Sequence, residues 1–264
     1  LAVKKCEPFR SSYDCIPCAM GSLITLFKKG LVAPTDQESA MRALLRYLST
    51  MDFGQSPPQI GQEMHRIIRS VLNDPDPYRN IKRQFNQLLL EHYAELKKWV
   101  DHADDPFQMA LRLVIAGNVI DFGPNQPFDI RQTLERARTI MLAIDDSEAL
   151  RRAISQSHLL LYLGDNAGEI VMDRIFLETI GHRNVYFAVR GAPILNDALL
   201  DDAKMVGIDN IAHVITNGDD APGTILDNTS PEFRRIFDEA DLIISKGQGN
   251  YEGLCCVHKN IFFL

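Results

Sequence analysis

The chain has 264 residues, of which 45% are hydrophobic and 24% charged, with a formal net charge of −7. That length suits one large domain or two modest ones and buries enough surface to fold without staples. The composition excludes a disordered or fibrous chain, and the acidic sign argues against a general binder of nucleic acid or anionic membrane.

From about Asp14 to Met141 the apolar spacing is helical. Ile16, Met20, Leu23, Ile24 and Phe27 share one stripe. Thr35-Asp-Gln-Glu38 reads as a capping box before Met41, Leu44, Leu45 and Leu48. Ser56-Pro-Pro-Gln59 is a second start signal, and Asn73-Asp-Pro-Asp-Pro77 must stop the helix that follows. A long helix starts near Asn80, with Ile81, Phe85, Leu88, Leu89, Tyr93, Leu96 and Val100 at i, i+3, i+4 spacing. Asp105-Pro106 starts another. Asp129 is placed to cap a further helix carrying Leu134, Ala137 and Met141.

After Asp145 strands and helices alternate. His158–Leu163 is an apolar run short enough for a strand buried on both faces. Helices are predicted over Ala167–Ile180, Asp197–Val206 and from Ser230-Pro231 to Glu239, with strands over Val185–Val189, Ala212–Ile215 and Asp241–Ile244. Repeated strand–helix units give a parallel sheet flanked by helices. Asn260-Ile-Phe-Phe-Leu264 reads as an element cut short, so the native chain is expected to continue.

No apolar run approaches the roughly 18 residues of a membrane span. Leu1–Arg10 carries Lys4, Lys5 and Glu7 without an apolar core, and reads as no secretory leader. Five cysteines are an odd and low count for a disulfide scaffold, so a cytoplasmic location is expected. Cys15 and Cys18 have metal-ligand spacing, with Cys6, Cys255 and Cys256 as conceivable partners, but no second Cys-x-x-Cys exists. They read as thiols packing a helix start. The pairs Asp145-Asp146 and Asp201-Asp202 read as solvated caps.

Ligands of open parallel sheets bind beyond the carboxyl ends of the strands. Four polar segments stand there: Gly164-Asp-Asn-Ala-Gly-Glu169, Arg190 to Asp197, Thr216 to Asp220, and Ser245-Lys-Gly-Gln-Gly-Asn250. Asp165, Asn166 and Asp197 offer hard oxygen ligands suited to magnesium, manganese or a similar ion. Lys246 offers a positive charge, and Gly247 and Gly249 allow backbone amides to approach an anion. A metal, a lysine and free amides are the equipment of phosphoryl transfer. The same residues also serve as helix caps and turns. Dinucleotide, Walker A, Asp-x-Asp phosphatase and Gly-x-Ser-x-Gly patterns are absent at the required places.

These segments resemble the damage-control phosphatase family, long filed as domain of unknown function eighty-nine. The resemblance rests on Cys15-Ile-Pro-Cys18, Asn73-Asp-Pro-Asp-Pro-Tyr78, Gly117-Asn-Val-Ile-Asp-Phe-Gly123, the Gly164–Glu169 segment, Asn196-Asp197 and Lys246-Gly-Gln-Gly-Asn-Tyr-Glu252. The Cys-x-Pro-Cys segment is similar to the prokaryotic branch. The resemblance implies an α/β fold class: a helical domain over 1–144 and a Rossmann-like domain over 145–264. It implies Asp165, Asn166 and Asp197 as metal ligands and Lys246 at the phosphate, with Asn118 and Asp121 reaching into the cleft. Asn196, Gly247, Gly249 and Asn250 belong to the same segments and are expected at the substrate.

The expected function is a metal-dependent phosphatase acting on small phosphorylated metabolites, with manganese, cobalt, nickel or magnesium as cofactor and no nucleic-acid or membrane partner. Attack by water, with Glu169 or Asp197 as base, stands beside covalent attack by Asp165. An S-adenosylmethionine-dependent carboxyl methyltransferase and a non-catalytic phosphate-ligand sensor are the alternatives; the missing glycine-rich turn after Leu163 counts against the first.

Overall fold

A computed structural model describes residues 7–119 and 142–264. Five strands, β1 (Leu160–Leu163), β2 (Val185–Val189), β3 (His213–Thr216), β4 (Leu242–Ser245) and β5 (Ile261–Phe263), form one sheet in the order β3-β2-β1-β4-β5. Every neighbouring pair is parallel. β1 and β4 are adjacent although β2 and β3 lie between them in sequence, so the chain reverses its direction of travel across the sheet at that point. Crevices open there beyond the strand ends.

The register aligns those ends. Leu163 stands beside both Ala188 and Ser245, and Val189 beside Thr216. Pairing runs one residue further, with the amides of Gly164 and Lys246 donating to Ala188 and Leu163, each at 3.0 Å. The candidate loops therefore leave the sheet side by side.

The helices of the first half serve two cores. α1 (Cys15–Lys28), α2 (Pro34–Thr50) and α3 (Pro57–Leu72) enclose Leu23, Leu44, Met64 and Ile68. α4 (Arg79–Asp101) and α5 (Pro106–Val119) instead share the core of the sheet with α6 (Ser147–Gln156) and α7 (Ile170–Ile180), through Leu89, Leu96, Val114, Tyr162 and Phe176. The change of texture near residue 145 is thus a change of element type within a shared core. The opposite face of β1 and β4, with Leu161, Leu163 and Ile243, is covered by α9 (Pro231–Glu239) and α10 (Gln248–Leu254). The short α8 (Leu200–Met205) lies between β2 and β3 in the chain.

Local signals explain most boundaries. The Ser230 hydroxyl accepts from the Phe233 amide at 3.1 Å, capping α9. The Ser56 amide donates to the Gln59 side chain at 2.8 Å at the start of α3. Asn73 ends α3 in the left-handed region at φ 48°. The Thr35–Glu38 box does not form: the helix starts at Pro34, two residues before the Asp36 that a Thr35 cap requires, and the proline ring fixes the first helical φ. The helix expected after Asp129 lies outside the described residues. Cys15 packs against the α1–α3 core, but Cys18 is exposed, so only the first thiol is a packing group. Among the described residues no helix is long and apolar enough to cross a membrane.

Candidate active site

Gly164–Glu169 turns from β1 into α7, and Arg190–Asp197 follows β2. The two loops are joined by an antiparallel bridge between Asn166 and Asp197, with the Ala167 amide on the Asn196 carbonyl at 2.8 Å and the Ala198 amide on the Asp165 carbonyl at 2.7 Å. This backbone clasp brings the Asp165, Asn166 and Asp197 side chains to one place. Asp165 and Asn166 keep some solvent contact, whereas Asp197, Glu169, Lys246 and Asn250 are buried.

Arg190, the first residue beyond β2, is the hub. Its guanidinium donates to Asp197 Oδ2 at 2.6 Å, to Asn250 Oδ1 at 3.1 Å and to Asp165 Oδ1 at 3.3 Å. The Asn166 amide nitrogen donates to Asp165 Oδ2 at 2.8 Å and Glu169 Oε2 at 3.1 Å. With the nitrogen spent on the protein, Asn166 is left with its carbonyl oxygen to offer a ligand. Gly247 backs Asp165 at φ 81°; a Cβ there would stand 2.1 Å from Asp165 Oδ2. No other residue lets the β4–α10 turn approach the carboxylate so closely.

Lys246 is fully buried and donates to Glu169 Oε1 and, at 2.9 Å, to Asp173 Oδ1. Tyr162 also donates to Asp173 Oδ1, at 2.6 Å. The ammonium expected at the phosphate is thus enclosed and tied to two carboxylates of α7 and its N-terminus. Burial alone would lower its pKa, but Asp173 and Glu169 hold it above the ordinary lysine range.

Asn250, expected at the substrate, is instead a structural tie. It donates to the Lys246 carbonyl at 2.7 Å and the Gly164 carbonyl at 3.4 Å, and accepts from Arg190 and from Thr224 Oγ1 at 2.8 Å. Two donors and two lone pairs are the whole capacity of a primary amide. The Gly247 amide donates to the Leu264 carbonyl at 3.1 Å, and the Pro222 carbonyl occupies the space beside Gly249. Both glycines therefore admit close approach by the protein's own chain. Asn196 takes part in the backbone clasp through its carbonyl. The Asn118 side chain and Asp121 lie outside the described residues.

The electrostatics are unbalanced. Asp165, Glu169, Asp173 and Asp197 face Arg190 and Lys246. Burial, then the charges of Asp197 and Glu169, push the Asp165 carboxyl well above the usual range despite Arg190 and Lys246. Burial also raises Asp197, against the pull of Arg190, and raises Asp173 to about 6, against that of Lys246. Such crowding favours a bound cation, and the donor set is all oxygen, which fits a hard divalent ion. Among the described residues no three His, Cys, Asp or Glu side chains form a metal cage. A site built on Asp165 and Asp197 thus depends on the Asn166 carbonyl oxygen and on water for its remaining ligands.

Arg190, Asp173 and Tyr162 were not among the expected site residues. Asp173 carried a signal: it interrupts the apolar run of α7 at one turn from Glu169. Asp202, expected to be solvated, is buried and bonded to α4.

The family model described as a damage-control phosphatase ARMT1-like domain matches residues 11–264. An uncharacterized protein of Methanocaldococcus jannaschii is 39% identical over 235 residues, covering 83% of this chain and 76% of that protein. A damage-control phosphatase of Archaeoglobus fulgidus is 35% identical over 74% of this chain and 69% of its own length. One from Pyrococcus horikoshii is 31% identical over 96% and 89%. The crystal structure of a DUF89 family protein from Pyrococcus horikoshii covers 97% of this chain and 91% of its own, with a TM-score of 0.88 at 29% identity. The match over nearly the whole chain, in sequence and in fold, places this protein in the damage-control phosphatase ARMT1-like family.

Proposed function

We propose that the protein is a metal-dependent phosphomonoesterase acting on small phosphorylated metabolites, sugar phosphates or damaged phosphometabolites among them. The observation that carries this reading is the excess of carboxylate around Asp165 and Asp197 at the sheet's switch point, beside an amide oxygen from Asn166. Two relatives named as damage-control phosphatases support it. The methyltransferase alternative gains nothing from those names, and no glycine-rich turn follows β1.

Asp165, Asn166 and Asp197 would hold the divalent ion, manganese, cobalt, nickel or magnesium. Bound there, the ion would polarise a phosphoryl oxygen and make water more acidic. Arg190 holds one oxygen of each carboxylate, fixing both ligands before any ion arrives. Glu169, steadied by Asn166 and Lys246, is assigned as the base that takes a proton from attacking water. Lys246 is assigned to hold Glu169 in place rather than to grip the phosphate, because its ammonium is enclosed between two carboxylates.

The test is phosphate release from a panel of sugar phosphates by chelated protein, with each ion restored in turn. Activity that vanishes on chelation and returns with one or more ions is expected. Full activity after exhaustive chelation and dialysis would overturn metal dependence, and no release under any condition would overturn the phosphatase reading.

A further inference from the structure

Helix α4 carries two polar residues on its buried face, Lys82 and Asn86, one turn apart and 2% and 0% exposed. Asn86 Oδ1 accepts from the Gly168 amide at 2.6 Å, and its Nδ2 donates to Asp202 Oδ1 at 2.7 Å. Asp202 Oδ2 accepts from the Leu199 amide at 3.0 Å and lies 3.8 Å from Lys82 Nζ. Lys82 in turn stands 2.9 Å from Asp76 Oδ2, within the Asn73–Tyr78 segment that stops α3.

The places gripped are telling. Gly168 lies two residues beyond Asn166, and Leu199 two residues beyond Asp197. One amide side chain and one carboxylate therefore span both loops that carry the candidate ion ligands. Gly168 itself takes φ 81°, and a Cβ there would stand 3.1 Å from Phe85 Cβ, so the loop lies directly against α4. Burying a charged and hydrogen-bonded set at a helix–loop contact stabilises less than apolar packing of the same volume would. Its geometry is what apolar packing could not supply: directional bonds that fix two loops relative to each other.

We propose that Asn86 and Asp202 are positioning residues for the Asp165–Asn166–Asp197 ion site, holding its two loops at the separation the ion needs; this rests on the metal-dependent reading above. They touch neither ion nor substrate. Groups bonded directly to metal ligands commonly contribute roughly 10- to 100-fold in affinity; Asn86 and Asp202 act through the backbone two residues further on, so the low end of that range is expected.

The decisive experiment exchanges the two groups. Asn86→Asp keeps an acceptor for Gly168 but faces Asp202 with a second carboxylate. Asp202→Asn restores the donor from the other side while its carbonyl still accepts from Leu199. Calorimetric titration of chelated full-length protein with manganese, beside thermal unfolding and steady-state kinetics, reads each variant. Asn86→Ala and Asn86→Asp should each weaken manganese binding about tenfold, and lower kcat at saturating manganese more than they change KM for substrate. The double variant should recover most of the lost affinity, a coupling that independent structural roles would not produce.

Wild-type affinity in a folded Asn86→Ala variant would overturn the proposal. Where that variant fails to fold, the exchanged pair decides: affinity no better than that of Asp202→Asn alone would overturn it equally. Wild-type protein that binds no manganese, cobalt, nickel or magnesium would instead remove the metal-dependent reading on which the proposal stands.

Discussion

Asp165 and Asp220 both stand just beyond parallel strands, yet their surroundings act on them in opposite directions. Asp220, after β3, receives hydrogen bonds from Arg66, Arg69 and Gln62 of α3. Burial would raise its pKa, but those bonds win and hold the carboxyl near 2. Asp165, after β1, meets Asp197 and Glu169 as well as Arg190, and is pushed up instead. Cations match the first carboxylate, which braces α3 against the sheet edge. The second sits in a surplus of negative charge that its own chain does not neutralise. A matched carboxylate acts as a structural brace, whereas a crowded one favours a bound cation, which is the role proposed for Asp165.

Replacing each carboxylate separates the two roles. Asp165→Asn should lower turnover about a hundred- to thousandfold, roughly 3–4 kcal/mol of transition-state stabilisation by analogy with a lost oxyanion donor. The same change should leave the chelated protein at least as stable as wild type, because it relieves repulsion; thermal unfolding beside kinetics checks both. Asp220→Ala should do the reverse. It removes one acceptor from Arg66, Arg69 and Gln62, which keep Glu63, the Pro193 carbonyl and Asp219, so the midpoint of urea unfolding should drop by the equivalent of about 1–2 kcal/mol, with turnover per folded molecule falling far less. Equal effects on stability from both variants would break the comparison.

The brace can be sharpened further by pH. His65, on the same helix as Arg66 and Arg69, is 3% exposed. Burial, then the Arg69 charge, lowers its pKa to about 3. The unfolded chain takes up this proton near pH 6.5 and the folded chain does not. The stability from a neutral His65 is therefore complete above about pH 6.5 and is lost as pH falls toward 3, amounting to about 2 kcal/mol by pH 5. Asp220 also has a depressed pKa, so its share persists above about pH 4 and fades toward 2. Asp165, Asp173 and Asp197, whose folded-state pKa values are raised, act in the opposite sense, so the variants are compared at each pH. Between pH 7 and 5 the wild-type urea midpoint should lose ground to that of His65→Leu by the equivalent of about 2 kcal/mol, while Asp220→Ala keeps the wild-type slope. The smallest effect is expected at a site in neither group: Cys18→Ser, at an exposed thiol, should shift stability by less than about 0.5 kcal/mol.

The sheet and its loops were legible because their signals are local. Apolar runs such as His158–Leu163 and turn residues such as Gly247 declare themselves within a few positions, and strand ends then bring Asp165, Asn166 and Asp197 together by rule. The α4 contribution was not legible. Its apolar stripe of Ile81, Phe85 and Leu88 is partly buried, while the deepest face runs through Lys82, Asn86, Leu89, Leu96 and Val100. A lysine and an asparagine read as solvated until their partners are known: Asp76 beside Lys82, and Gly168 and Asp202, distant in sequence, at Asn86. The place of Lys246 was legible, but its enclosure was not. Its position after β4 follows from the strand pattern, whereas its enclosure depends on Glu169 and Asp173 projecting from α7.

The central claim is that Asp165, Asn166 and Asp197 form an ion site in a phosphatase. Anomalous diffraction from a crystal soaked in manganese tests it most directly. The account predicts a peak bounded by the side-chain oxygens of those three residues, absent from an Asp165→Asn crystal. A manganese peak elsewhere in a crystal of protein shown to be active, with none between Asp165 and Asp197, would contradict it.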